Sequence, residues 1–368
     1  DLPDEDIGEM IRAVIAHEVG HTLGFPHNFK SSAAYSIDSL RNGPFTHKNG
    51  ISPSIMDYAR VNYVAQPGDK GIRFIRKVGP YDKYAVNWGY RWLPDIEKPE
   101  DETETLNSWI LDKADNPVYA FGGSYGKDPR YNRESLGDNM VEASQLGLSN
   151  LKIVAANLKD WTTKDGEDYE DLAEVYREFA FQWRRYVFHV IAIVGGIEKD
   201  AKNVGQEGPI FTPVSKDWQK DAMRFLMKEV FTTPKWLIAP KLTAYIQSEG
   251  ATDLMSVIQV SALGSLTSES RLKRMMELAE LYEETYTVFD MMNDLSLGLF
   301  AEINQKGADI FYEGRRGNNP DLFRRNLQFA YIQKLMAFAE AGATKPSDVS
   351  SAALIQLKAL RKLSKKAR

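Results

Sequence analysis

The feature that most constrains this chain is the stretch His17-Glu18-Val19-Gly20-His21-Thr22-Leu23-Gly24-Phe25-Pro26-His27. Ahead of it, Ile7, Met10, Ile11, Val14 and Ile15 recur at the spacing of a helix with one buried face, and Asp4 and Asp6 offer N-caps. The pattern runs to Leu23, and Gly24 stands where a helix ends in a left-handed cap. On such a helix His17 and His21, four positions apart, share a face and can direct two imidazoles at one metal ion. Glu18 lies close to that point without having to ligate. Gly24 tolerates positive φ, so the chain can turn sharply and return His27 as a third nitrogen. Three protein ligands leave one position open, the arrangement of a catalytic rather than a structural zinc site.

A lone histidine on a helix face is more often a packed residue than a ligand. Here three of the chain's five histidines fall in one short pattern with Glu and Gly, a coincidence expected by chance on the order of 1 in 10⁵. His47 and His189 read as non-ligands. With no cysteine in the chain, disulfides, thiolate zinc sites and cysteine nucleophiles are excluded, while the compartment is left open. Asp165-Gly166-Glu167-Asp168 has too few ligands for a calcium loop and reads as a cap for the helix after it. A net charge of -5 carries no nucleic-acid footprint; the basic run Arg361–Arg368 reads as a solvated helix end. The longest apolar run, Val187–Ile197, contains His189 and two glycines and is too short for a membrane span. The chain opens on Asp1 rather than Met, so a targeting signal or an upstream domain would lie outside it.

The extended histidine motif resembles that of the metzincins, the zinc endopeptidases that include astacins, serralysins, matrixins and adamalysins. Metzincins carry a Met-turn downstream, whose methionine forms an apolar floor under the ligands. Ser54-Ile55-Met56-Asp57-Tyr58, after Pro53, fits that role, with Met56 as the structural methionine. Tyr58 matches the position where astacins and serralysins place a tyrosine near the zinc, which implies an oxyanion donor; a tyrosine merely packed on the turn is the alternative. Asn28 follows His27 where the familiar subfamilies carry other residues, so none of them is assigned. Gly79–Tyr90 looks like the short C-terminal helix of metzincin catalytic domains, with a packing role. Together with Tyr63-Val64-Ala65-Gln66-Pro67 and a long helical tail, the ensemble resembles large bacterial metzincin-like proteases exported from the cytoplasm.

That resemblance implies Zn²⁺ as cofactor, a peptide or protein substrate, and an exported location: periplasmic, outer-surface or secreted. It also implies a mechanism in which zinc lowers the pKa of a water to near 7 and Glu18 acts as general base, then returns the proton to the leaving amine. Metzincins place a twisted sheet before the active-site helix, and its edge strand aligns the substrate. That sheet is expected upstream of this chain as a partner from the same full-length protein, and the chain alone is expected to fold but to cleave poorly. The rival expectation is a helical interaction module with an idle metal site.

The expected fold is mainly α, with residues 1–135 as the lower part of a metzincin catalytic domain and 136–368 as a helical domain. Asn28–Pro53 reads as a long loop and Pro94–Asn139, with a turn at Phe121-Gly122-Gly123-Ser124, as irregular. Helical periodicity predicts Val141–Trp161, Tyr169–Val194, Lys216–Phe231, Leu254–Leu266, Glu269–Asp290, Asp321–Ala341 and Ser347–Leu363. Asn319-Pro320 and Thr233-Pro234 read as helix starts, and Gly195–Val214 as a small hairpin.

Overall fold

A computed structural model describes residues 4–123, 126–246, 251–314 and 320–366. The fold is mainly α. Among the described residues the only sheet is a two-stranded hairpin, β1 (Ile197–Lys199) and β2 (Phe211–Pro213), where one was expected. The chain forms two compact units, one of Asp1–Asn150 with Ile197–Thr212 and one of Leu151–Gly196 with Pro213–Arg368. No described helix is long and apolar enough to cross a membrane.

In the first unit, α1 (Asp4–Thr22) is the expected histidine helix, but its buried face is not the predicted one. Ile7, Met10, Ile11, Val14 and Ile15 are all exposed, and the buried positions are Ala13, His17 and Gly20. Beside His17 the inward stripe is made of Ala13 and Gly20, small because Met56 comes so close to the helix at Gly20 that a larger side chain would not fit there. Asp4 and Asp6 sit inside the first turn, where acidic groups complement the helix dipole. Asp6 and Glu9 also pair with Arg73 at 3.3 and 2.7 Å, tying the helix to the loop beneath it.

The segment expected to be a long loop is instead wound into short helices: a 3₁₀ turn at Phe29–Ala33, α2 (Ile37–Leu40) and α3 (Gly43–Asn49). The reason is capping. Ser36 accepts from the Ser39 N–H at 3.2 Å and Asn42 from the Phe45 N–H at 2.9 Å, and each removes an orphan donor that a loop would leave to solvent. Ile37 and Leu40 then bury against Ile51, Val64, Leu136 and Ala143. α4 (Pro80–Tyr90) is the expected short helix, and α5 (Thr103–Leu111) interrupts the stretch predicted to be irregular. Of the turn predicted there, Ser124 lies outside the described residues.

The second unit shares α6 (Met140–Thr162) with the first. Beyond it come α7 (Glu170–Ile191), α8 (Lys216–Phe225), α9 (Pro240–Ile246), α10 (Ala251–Leu266), α11 (Glu269–Leu281), α12 (Val288–Leu299), α13 (Gln305–Phe311), α14 (Leu322–Thr344) and α15 (Asp348–Lys366). Asp168 accepts from the Glu170 N–H at 2.9 Å, the capping role expected of it. α8 does not run unbroken to Phe231: a π turn follows it at Leu226–Val230, with the Phe231 N–H on the Leu226 carbonyl at 2.8 Å. The single helix predicted over Glu269–Asp290 is two. Thr287 and Asp290 cap each other's backbone N–H groups and start α12, while the buried Tyr286 donates to Asp294 at 2.6 Å. Thr233-Pro234 opens a turn rather than a helix, its hydroxyl engaged by Asp321. Asn319 lies outside the described residues; the cap of α14 is Asp321, which accepts from the Arg324 N–H at 3.2 Å.

Arg324 is the polar centre of this unit. Its guanidinium donates to the carbonyls of Phe231 (2.6 Å), Gly298 (2.8 Å) and Leu299 (2.9 Å), and to Glu302 at 2.7 Å. It therefore ties α14 to the end of α12 and to the π turn. Removing it takes the side-chain donor from the Phe231 carbonyl and the counter-charge from Glu302, and leaves Gly298 to Tyr312 and Leu299 and Glu302 to Gln328. Arg324→Ala is expected to cost about 3–5 kcal/mol, read from urea unfolding; a loss under about 1 kcal/mol would show that these groups find water instead.

Candidate metal centre

α1 ends in a six-residue lock that sets the geometry of the third histidine. Gly24 adopts φ +81°, the Phe25 N–H donates to the Gly20 carbonyl at 3.1 Å, and the Gly24 N–H donates to the His21 carbonyl at 3.0 Å. This pair of bonds is a Schellman cap, which needs a left-handed residue at its corner, and glycine takes that conformation without strain. The chain is turned back on itself, and His27 comes to face the helix it has just left.

The three histidines converge. One ring nitrogen of each of His17, His21 and His27 lies within 4.8 Å of the others. His17 Nδ1 bonds the Ile55 carbonyl at 2.8 Å and His21 Nδ1 bonds the Phe25 carbonyl at 2.9 Å. A carbonyl only accepts, so both Nδ1 atoms carry the proton and both Nε2 atoms keep a lone pair. His21 Nε2 and His27 Nε2 are 3.1 Å apart, close to the roughly 3.3 Å edge of a tetrahedral site with 2.0–2.1 Å arms. Three imidazole nitrogens gathered at one point suit a zinc ion. His47, in α3, and His189, buried in α7, stand outside this group.

The turn Ser54–Tyr58 lies against α1, His17 and His27. Met56 lies under α1 so closely that a Cβ on Gly20 would fall 2.2 Å from its sulfur. The Ile55 carbonyl orients His17, the Met56 carbonyl accepts from the Asn28 N–H at 3.0 Å, and the Tyr58 ring stands 4.4 Å from that of His27, edge to face. Tyr58 is also 5.6 Å from the His17 ring, so it borders the ligand cluster rather than packing away from it. Glu18 is exposed and near enough to His17 and His27 for its charge to favour their protonation.

Two residues that hold this turn were not singled out as such in the sequence. Asp82, buried in the first turn of α4, accepts from the Ser54 hydroxyl (2.7 Å), the Ile55 N–H (2.8 Å) and the Gly79 N–H (2.7 Å). Burial pushes its carboxyl above the ordinary range, against the pull of those donors. Its position just after Gly79-Pro80 signalled a helix cap; its reach to Ser54 and Ile55 had no local signal. Asn28, fully buried, accepts from the Gly122 N–H at 2.9 Å and donates to the Ala120 carbonyl at 3.0 Å, fixing the residue after His27 to a distant loop. Behind the turn Leu23–Pro26 opens a cleft of about 1070 Å³ edged by Tyr81, Tyr84, Trp88 and Tyr90, with none of the three histidines in its lining.

Burial lowers His17 below its usual 6.5, and burial followed by the charge of His21 lowers His27. Folding thus favours their neutral forms, which are also the metal-binding forms. Their contribution to stability is present above pH 6.5 and is lost as pH falls through the lowered values. The zinc-free protein should lose urea resistance on acidification below that point, and a His17→Asn, His27→Asn variant should lose less; equal losses in both would remove these histidines from the linkage. Asp82→Asn keeps the shape but gives up acceptors that hold Ile55 and, through it, His17. It should weaken zinc binding by roughly 10–100-fold in chelator competition, and a change under about twofold would mean that the turn holds itself.

Comparison with known protein families matches residues 1–307 to the Met-zincin model, while no curated protein and no solved structure matches. The match takes in the histidine cluster, the turn beneath it and most of the helical second unit. The chain belongs to the Met-zincin family.

Proposed function

We propose that this protein is a zinc-dependent endopeptidase whose ion is held by His17, His21 and His27. The observation that carries the proposal is the convergence of three imidazole nitrogens, with two of the rings fixed by carbonyls on Nδ1 and Glu18 beside them. When bound, zinc acts as a Lewis acid that brings a water near pKa 7 and polarises a carbonyl. Glu18, exposed at the site and next in sequence to the first ligand, accepts the proton of the attacking water and delivers it to the leaving amine as the C–N bond breaks. Tyr58, at the edge of the cluster, donates to the oxyanion. Met56 serves as the Met-turn methionine, a role supported by its contact with Gly20.

The partner proposed for α1 is a sheet of the full-length protein, of the kind that precedes the ligand helix in metzincins. The exposed row Ile7, Ile11, Val14, Ile15 and Val19 supports it, being the apolar face such a sheet would cover. In this scheme residues 1–135 supply the lower catalytic part and 136–368 the helical one. The location proposed from the family resemblance is outside the cytoplasm, which fractionation of the native host would test.

Glu18→Gln in the full-length protein is expected to abolish cleavage of a denatured protein substrate while zinc stays bound, because Glu18 supplies the base and no ligand. Activity within tenfold of wild type would remove it from that role. Tyr58→Phe should cost less, about 10²-fold in kcat; an unchanged kcat returns Tyr58 to packing. A chain extended upstream should exceed this one in turnover, both zinc-loaded, and equal turnover would show that the cleft is complete without the sheet.

A further inference from the structure

The last helix of the second unit carries a surface that neither the metal centre nor the packing of the fold uses. α15 starts in a reciprocal cap: the Ser350 N–H donates to the Ser347 hydroxyl at 3.3 Å, and the Ser347 N–H to the Ser350 hydroxyl at 2.9 Å. It lies so close to α14 that a Cβ on Gly342 would fall 2.3 Å from that of Ser350. Ala352, Ala353, Gln356 and Leu360, spaced to share one side of the helix, are buried. The helix is thereby held in one rotation about its axis, and the face it shows to solvent is a fixed surface.

That face carries one sign of charge. Lys358, Arg361, Lys362, Lys365 and Lys366 follow the i, i+3, i+4, i+7, i+8 spacing of a single helix side, and all are exposed. No acidic residue occurs from Val349 to Lys366, in a chain whose net charge is -5. Other helices of this unit answer exposed cations along their own length: Arg224 pairs with Asp221, and Lys273 lies 4.0 Å from Glu277. One turn before Lys358, on the same outward side, Leu354 and Ile355 stand 45% and 53% exposed. They add nothing to the packing of α15, which its opposite side supplies.

A merely solvated helix end needs neither a single sign of charge nor exposed aliphatic side chains. A bilayer of anionic phospholipid uses both. Its headgroups attract the cations, and the boundary between headgroup and acyl chain takes up the aliphatic side chains. Lysine and arginine have stems long enough to keep their charges at headgroup level while Leu354 and Ile355 reach deeper. A nucleic-acid backbone would use the charge and leave that aliphatic pair in water.

We propose that the outward face of α15 is a docking surface for an anionic phospholipid bilayer, on which the protein rests without crossing it. The proposal is independent of the peptidase reading. It is tested by co-sedimentation of the protein with vesicles of phosphatidylcholine alone and of phosphatidylcholine with phosphatidylglycerol, at about 0.1 M and about 0.5 M salt. Partitioning onto the anionic vesicles should be stronger by about tenfold or more, and should fall at the higher salt. Each cation near such a surface contributes about fivefold. A variant with Lys358→Gln, Arg361→Gln, Lys362→Gln and Lys365→Gln should therefore lose about fiftyfold or more. Leu354→Ser with Ile355→Ser should lose about fivefold or more, and both variants should keep the thermal midpoint of wild type because every altered side chain is exposed. The chain has no cysteine, so Ile355→Cys carries an environment-sensitive dye at a single point. Its emission should shift to the blue on anionic vesicles and stay unchanged on duplex DNA. Equal partitioning of wild type and the four-glutamine variant would overturn the proposal. So would binding of duplex DNA as tight as that of anionic vesicles with no shift of the dye, which would make α15 a general polyanion binder.

Discussion

The bond from His17 Nδ1 to the Ile55 carbonyl, 2.8 Å long, is the constraint on which the metal centre turns. It fixes the tautomer of the first ligand, and it joins the ligand helix to the turn that lies under it. The same carbonyl also accepts from Arg76 at 3.2 Å, and the Ile55 N–H is held by Asp82 at 2.8 Å. Both backbone polar groups of Ile55, in the two peptide units that flank its Cα, are therefore held. A carbonyl that cannot rotate keeps an imidazole from rotating, so the His17 ring is held in one orientation.

Close approach explains why α1 buries its small residues and shows its large ones. With Met56 packed against the bare backbone at Gly20, the helix sits low on the turn, and only Ala13, His17 and Gly20 fit beneath it. That contact places a polarizable sulfur and apolar atoms, not water, behind the ligands. The cost is that Ile11, Val14 and Ile15 are each more than half exposed on the opposite side.

The polar residues around the centre act largely on backbone, with Ser54 to Asp82 and Ser52 to Asp57 bonded between side chains. Asp82 holds Ser54 and Ile55, Asn28 holds Ala120 and Gly122, and the Met56 carbonyl holds Asn28. Irregular segments have no ladder to satisfy their own N–H and C=O groups, so buried loops need side chains as substitutes. This is how a site made largely of turns can be as fixed as one made of helices, and why the residues that fix it are short and polar.

The meeting of the three histidines was legible in the sequence because their spacing is local: residues four apart on a helix share a face whatever surrounds them, and Gly24 permits the left-handed turn that brings His27 back. The same holds for most helices of the second unit, whose boundaries follow from periodicity and caps. The break between α11 and α12 escaped, since apolar spacing continues across it and only the burial of Tyr286 and the Thr287–Asp290 cap decide it. The short helices after His27 escaped too, being made by caps in a composition that reads as loop. The outward apolar face of α1 and the hold of Asp82 on Ile55 depend on residues far apart in the chain. Sequence alone determined which atoms could bind a metal. The tertiary structure alone decided what holds them and what stands beside them, because contacts between distant segments follow from packing and leave no period to read.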